Sequence, residues 1–266
     1  MNPNCKKRMG AIRLENMKVI AQEEIAPAIF ELVLEGEMVE AMKAGQFLHL
    51  RVPDDAHLLR RPISISSIDK VKKQCHLIYR IEGSGTAIFS SLKPGDSFDV
   101  MGPQGNGFDL SELDKHSKVL LVGGGIGVPP LLEVAKQLHE RGVEITTVLG
   151  FATKDAVILE DELAKYSQVF VTTDDGSYGT QGNVSVVINE CDTEFDAIYS
   201  CGAPGMMKYI NQTFYDHPRA YLSLESRMAC GMGACYACVL KVPDSETVSQ
   251  RVCEDGPVFK TGTVIL

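Results

Sequence analysis

Four cysteines near the end of the chain, Cys230, Cys235, Cys238 and Cys253, follow the spacing Cys-x4-Cys-x2-Cys-x14-Cys. Thiolates are the soft ligands that iron prefers, and four of them complete a [2Fe–2S] site. Gly231, Gly233, Ala234 and Ala237 lie among them. Such small residues let a loop wrap closely around a compact cluster and turn backbone N–H groups toward its sulfurs. The first two gaps match the plant-type ferredoxin run, while the fourth cysteine arrives sooner than in those ferredoxins. Four cysteines also satisfy a structural zinc site, but zinc usually takes two paired knuckles and here the fourth ligand stands alone. The spacing therefore favours iron and sulfide. Cys5, Cys75 and Cys191 have no such company and read as ordinary reduced thiols.

A second chemical signal is the turn Gly123-Gly124-Gly125-Ile126-Gly127-Val128-Pro129-Pro130, placed after an apolar run and before a helical one. Glycines there let backbone approach a pyrophosphate, and a helix N-terminus adds N–H groups and positive dipole. The dinucleotide fingerprint is imperfect, because Val128 stands where a third glycine would be; a glycine-rich tight turn is the plain alternative. Downstream, Thr172-Thr173-Asp174-Asp175 and Cys201-Gly202-Ala203-Pro204 each follow a strand, where parallel strands would line a ligand crevice. Asp174 and Asp175 beside a ribose would disfavour a 2′-phosphate, a lean toward NAD over NADP. Cys201 is placed near the nicotinamide.

The third signal lies earlier: Arg61-Pro62-Ile63-Ser64, then Ile78-Tyr79-Arg80, then Gly85-Thr86. An arginine beside strand-borne hydroxyls can neutralise a diphosphate and hydrogen-bond a flavin, and Tyr79 offers a stacking face. A solvated arginine pair before an edge strand is the plainer reading of Arg60 and Arg61.

The elements that must position these groups fall into three regions. From Asn16 to Val100 short strands alternate with turns, among them Ile29 to Leu34, Phe47 to Val52 and Cys75 to Ile81, as in a small antiparallel barrel. From Lys118 buried strands alternate with helices: Val119 to Val122, Ile145 to Leu149, Val169 to Thr172 and Ala197 to Ser200. Leu131, Val134, Ala135 and Leu138 recur at helical spacing behind Pro129 and Pro130. After Leu224 comes a glycine- and cysteine-rich segment too small for its own core. The expected fold is a multi-domain α+β chain: an antiparallel flavin-binding β-barrel (10–112), a parallel-sheet α/β nucleotide-binding domain (113–223) and a small C-terminal [2Fe–2S] segment (224–266).

The 266 residues are 44% hydrophobic with a net charge of −9 that is spread along the chain. No basic stripe with interleaved aromatics points to nucleic acid, and no apolar run of about 18 residues points to a membrane. The polar start argues against a signal peptide, and a cytoplasmic location is expected.

The three signals in this order resemble the ferredoxin–NADP reductase superfamily over about residues 10 to 225. Nearly the whole chain is similar, more closely, to the electron-transfer subunits of dihydroorotate dehydrogenase B, in which a short [2Fe–2S] segment follows the nucleotide domain. The resemblance implies FAD contacts from Arg61 to Ser64, Ile78 to Arg80 and Gly85-Thr86, an NAD site at the Gly123 to Gly127 turn, and cluster ligation by Cys230, Cys235, Cys238 and Cys253. It also implies a partner, an FMN-containing dihydroorotate dehydrogenase catalytic subunit, in a heterotetramer of two of each, with the catalytic base on that partner and a place in pyrimidine biosynthesis. Two departures from the wider superfamily are Ala203-Pro204-Gly205 in place of Pro-x-Pro, and the absence of an aromatic residue closing the chain over the flavin. Similar architectures serve ferredoxin or hydrogenases, and a non-catalytic redox-sensing module or a zinc-stabilised flavin reductase also fits the motifs.

Overall fold

The computed structural model describes residues 12–191, 194–243 and 245–266; Cys5 lies outside them. Strands β1 (Arg13–Ala26), β2 (Ile29–Glu35), β3 (Phe47–Leu50), β4 (Arg61–Asp69), β5 (Gln74–Arg80) and β6 (Ser97–Gln104) close an antiparallel barrel in the order β1-β2-β5-β4-β3-β6. Alternation decides which side chains fill it. Met17, Val19, Leu32, Leu34, Leu48, Leu50, Leu77 and Phe98 point inward and are buried, each such side chain stabilising the fold by about 1.5–3 kcal/mol relative to exposure. A short helix, α1 (Ser84–Phe89), plugs one end with Phe89.

Beyond the barrel lie β7 (Lys118–Gly124), α2 (Pro129–His139), β8 (Glu144–Phe151), α3 (Glu160–Ala164), β9 (Gln168–Thr173), β10 (Thr180–Gln181), α4 (Ser185–Asn189), β11 (Ala197–Cys201), α5 (Pro204–Thr213) and β12 (Ala220–Ser223). Every strand pairing from β10 through β12 is parallel. The central strands read as apolar runs because helices cover both faces. Helix α2 begins at the two prolines, which need no N–H donor in a first turn. Its Glu133, nearly fully buried, accepts the Ile68 N–H at 2.9 Å, and Lys136 Nζ donates to the Ile68 carbonyl at 3.0 Å. These bonds tie the nucleotide domain to the barrel, because a buried carboxylate is tolerated only with such partners.

The C-terminal segment carries β13 (Val239–Lys241), paired with β14 (Ser249–Arg251), and β15 (Val258–Lys260). Strand β15 joins β12 antiparallel and extends the parallel sheet to seven strands. Cys238, Val252, Cys253 and Phe259 pack in one cluster with Leu120, Val122, Ile198 and Met207. So the segment borrows the nucleotide domain's core rather than building one, as its size demands. The barrel grips it too. Asn106 N donates to the Gly256 carbonyl at 2.8 Å, Asn106 Nδ2 to the Asp255 and Val258 carbonyls at 3.1 and 2.9 Å, and Asn106 Oδ1 accepts Val258 N–H at 3.1 Å. Among the described residues no helix is long and apolar enough to cross a membrane.

Candidate functional site

Strands β4 and β5 are neighbours, and their ends bring Arg61, Pro62, Ile63, Ser64, Ile78, Tyr79, Arg80, Gly85 and Thr86 onto one cleft of about 580 Å³. Its far wall is Ser223 to Met228 with Pro257. Gly85 makes room for the arginine: a Cβ there would stand 3.0 Å from both Nε and Nη2 of Arg61. Thr86 Oγ1 accepts the N–H groups of Glu82 and Gly83 at 3.0 and 3.3 Å and donates to the Gly83 carbonyl at 3.1 Å. Its hydroxyl therefore shapes the turn. At the rim, His57 Nε2 is 2.7 Å from Ser84 Oγ and its Nδ1 is 2.8 Å from Asp54 Oδ1, which latches the 53–58 loop to the cleft. No motif announced His57 or Asp54, and the contact of His57 with Ser84, 27 residues on, is long-range.

Tyr79 corrects the sequence expectation. The residue is 1% exposed and its ring points into the barrel, stacked on Phe30 at 5.8 Å and edge-on to Phe89 at 5.9 Å, with its hydroxyl donating to Gln22 Oε1 at 3.3 Å. The β2–β5 register opposes Phe30 to Tyr79, and period-two alternation leaves Ile78 and Arg80 to point the other way. Tyr79 offers the cleft no stacking face.

A second cleft, of about 680 Å³, adjoins the first and is lined by Gly124, Gly125, Gly127 and Asp174 with Gly202 to Pro204. Gly127 is required by a close backbone approach: a Cβ there would lie 2.5 Å from Gly202 N and Cα. Gly125 has φ +52° and open space above it, so backbone here can meet a ligand directly. The donors differ from the expectation. Pro129 and Pro130 have no N–H, and Leu131 N–H is bonded to the Val128 carbonyl at 3.0 Å. The first turn of this helix therefore offers an anion no free amide, and the Gly125 to Gly127 turn is the backbone that faces the cleft there.

Gly123 and Cys201 do not line this cleft. A Cβ on Gly123 would stand 2.8 Å from Val128 Cγ2 and 3.2 Å from Leu131 Cδ1, so this glycine serves helix packing. Cys201 ends β11 opposite Gly123, is 2% exposed, and burial pushes its thiol well above the ordinary range. It is a packing residue behind the turn, not a group presented to a nicotinamide.

Arg80, Glu82, Ile126, Leu224 and Glu225 line both clefts and form their common wall. Arg80 Nη2 pairs closely with Glu82 Oε1. Solvent reaches Glu225, yet the cleft walls crowd it. That desolvation, and then the Glu82 carboxylate, push its carboxyl above the usual range, against the pull of Arg80. Leu224 and Glu225 were not foreseen, because a dipeptide after a short strand carries no spacing signal.

Two residues beyond the wall of the first cleft, the cysteine loop begins. Every described cysteine is a free thiol, and among the described residues no three Cys, His, Asp or Glu side chains converge as a single ion would require. The four cysteines form two pairs instead. Cys235 N–H points at Cys230 Sγ at 3.4 Å, and Cys238 Sγ lies 3.3 Å from Cys253 Sγ. Further amides are aimed at sulfur: Met232 N to Cys230 at 3.4 Å, Gly233 N to Cys253 at 3.2 Å and Cys253 N to Cys238 at 3.5 Å. Backbone amides beside it, from Cys230 and Ala237, pull the Cys235 thiol down to about 7, whereas burial pushes Cys253 up to about 12. Two thiol pairs with amides directed at their sulfurs suit two irons better than one tetrahedral zinc.

Comparison with known proteins matches three stretches of the chain to family models. Residues 14–108 match the oxidoreductase FAD-binding domain, residues 121–212 the oxidoreductase NAD-binding domain, and residues 225–265 the iron-sulfur cluster binding domain of dihydroorotate dehydrogenase B. The electron transfer subunit of dihydroorotate dehydrogenase B (NAD(+)) of Streptococcus pneumoniae is 86% identical over 255 residues, 96% of this chain and 100% of that relative. The subunit of the same name from Geobacillus kaustophilus is 52% identical over 254 residues, 95% of this chain and 98% of the relative. Among solved structures, one of an NADH-dependent reduced ferredoxin-NADP oxidoreductase superposes with a TM-score of 0.83 at 31% identity, covering 94% of this chain and 90% of that one.

Proposed function

The chain belongs to the family of electron transfer subunits of dihydroorotate dehydrogenase B (NAD(+)), and from that premise we propose how its residues divide the work between the cluster, FAD and NAD. It is an oxidoreductase subunit with domains for all three.

When bound, FAD converts between the single electrons an iron–sulfur centre passes and the hydride a nicotinamide takes. Arg61 and Ser64 hold the flavin, with Pro62, Ile63 and Ile78 packing beside it. Gly85 permits the arginine's position, and Thr86 shapes the turn that faces the phosphates. Gly124, Gly125 and Gly127 receive the nicotinamide nucleotide's phosphates on backbone, and Asp174 accepts from its ribose hydroxyls, which favours NAD. Cys230, Cys235, Cys238 and Cys253 would hold the iron–sulfur centre as two thiol pairs.

The observation that carries this reading is the common wall. Arg80, Glu82, Ile126, Leu224 and Glu225 border both clefts, so groups bound in the two would be neighbours across it. Met228, in the same flavin cleft, is two residues from Cys230. One continuous path therefore runs from cysteine loop to flavin cleft to nucleotide cleft, with placement as this chain's main contribution.

The donor is an FMN-containing catalytic subunit that oxidises dihydroorotate, with two copies of each chain in a heterotetramer acting in the cytoplasm. The names of the relatives, which call them electron transfer subunits, support a separate catalytic partner. The test is anaerobic isolation through a tag on this chain, followed by assay of dihydroorotate-dependent NAD reduction and of iron, sulfide, FAD and FMN content. Activity that co-purifies with an FMN subunit in a 1:1 ratio is expected. A flavin and cluster that NADH reduces but dihydroorotate does not would redirect the search to another donor.

A further inference from the structure

His49, on β3, is fully buried, and among the described residues neither of its ring nitrogens has a hydrogen-bond partner. Gln104, on the neighbouring β6, is 1% exposed and its Oε1 is likewise unpartnered. A buried polar atom left unpaired is destabilising, so three at one place call for a physical reason.

Both side chains converge on one residue of the cysteine loop. A Cβ on Gly231 would lie 2.4 Å from His49 Nδ1 and 2.9 Å from Gln104 Oε1. Gly231 has φ +69° and follows Cys230 directly, so only glycine fits both the backbone and the close seat. The flavin cleft takes up Phe47 of the same strand but not His49, whose ring lies between the Arg60 backbone on one side and Gly231 of the cysteine loop on the other. His49 is also opposite Pro62 in the β3–β4 register. One strand pair therefore joins the flavin motif to the cysteine loop.

We propose that His49, seated with Gln104 against Gly231, is a positioning residue that sets the reduction potential of the iron–sulfur centre from the barrel side, by presenting an imidazole N–H to the sulfur shell at Cys230. The amides of Met232 and Cys235 already point at that sulfur, and the imidazole adds a donor of the same kind from outside the loop. Donors to sulfur stabilise the more negative, reduced state of a cluster and raise its potential. The proposal rests on the assignment of the four cysteines as ligands.

The test uses the anaerobically purified complex and an EPR-monitored redox titration of His49→Leu, His49→Asn and Gln104→Leu. Iron, sulfide and FAD content are measured alongside. Expected are a more negative cluster potential in H49L with cofactor content retained, and a potential near the unsubstituted value in H49N, whose amide restores a donor. A smaller shift of the same sign is expected in Q104L. An unmoved potential and EPR spectrum in H49L, or equal shifts in H49L and H49N, overturns the role. If H49L loses its cluster, H49N decides: a full cluster at the unsubstituted potential supports the role, and a lost or displaced one overturns it. No iron and sulfide in the unsubstituted chain would instead overturn the ligand assignment.

Discussion

Arg61 lies across Gly85 so closely that a Cβ on the glycine would come within 3.0 Å of the guanidinium Nε and Nη2. The arginine's position over the flavin cleft is thus set by an absent side chain on α1, not only by its own strand. Removing the guanidinium in Arg61→Ala should weaken FAD binding about 10- to 100-fold, as expected for losing charge-assisted hydrogen bonds worth about 1.5–3 kcal/mol. Gly85→Ala should weaken it in the same direction while keeping the charge. Flavin fluorescence on dilution measures both, and unchanged affinity in R61A would remove the arginine from the site.

The inward Tyr79 ring separates packing from cofactor contact. Tyr79→Phe loses one hydroxyl bond to Gln22 and should cost about 0.5–1.5 kcal/mol, with flavin absorbance and affinity unchanged. Tyr79→Ala should cost about 3–5 kcal/mol through the cavity left against Phe30 and Phe89. A perturbed flavin spectrum in Y79F would show that the ring reaches the cleft after all.

What the sequence disclosed and what it hid divide along physical lines. The cysteine run and the Arg61 to Ser64 motif were legible because each is local: residue types and spacing carry the chemistry. The strands at Val119 to Val122 and Ile145 to Leu149 were legible because burial on both faces makes apolar runs. The side of Tyr79 was not, since its direction depends on the β2–β5 register, a long-range fact. The prolines of α2 marked the helix start correctly but also removed the amides credited to it. Strand β15, three residues long, has no periodicity to read and exists because β12 offers an open edge. His49, an ordinary strand position in sequence, gains meaning only when Gly231 arrives from the far end of the chain.

Asn106 is the barrel's hold on the segment between Cys253 and β15. Its side chain makes three of the bonds described, so Asn106→Ala leaves the Asp255 and Val258 carbonyls and the Val258 N–H without that partner. A loss of about 1–3 kcal/mol is expected, together with faster release of iron under a chelator, because Cys253 precedes the freed stretch. Thermal melts and the rate of iron loss check this. An unaltered rate would mean that pairing of β12 with β15 alone secures the segment.

Asp174 sits exposed on the nucleotide cleft, its N–H bonded to the Phe151 carbonyl at 3.0 Å. In the proposed reading its carboxylate would repel a 2′-phosphate and accept from a ribose hydroxyl. In Asp174→Ala the ratio of kcat/KM for NADPH over NADH, measured by flavin reduction, should rise about tenfold, the size of one relieved like-charge contact near the surface. No change in the ratio would place nucleotide choice elsewhere on the cleft.

His49 also predicts how the fold responds to acid. Burial first, then the charge of Arg60, lower its pKa from 6.5 to about 4 against the opposite pull of the Arg60 backbone, so the folded chain keeps the ring neutral where the unfolded chain protonates it. Between those two values the unfolded state binds the extra proton. Stability from this residue is therefore complete above pH 6.5, declines as pH falls toward 4, and changes no further below that. The full loss is on the order of 3 kcal/mol. Melting temperatures of the unsubstituted chain and of His49→Asn should run parallel above pH 6.5 and converge below it, the unsubstituted chain falling more steeply. Parallel curves down to pH 4.5 would mean that the imidazole is solvated or already charged in the fold, contrary to its burial beneath Gly231.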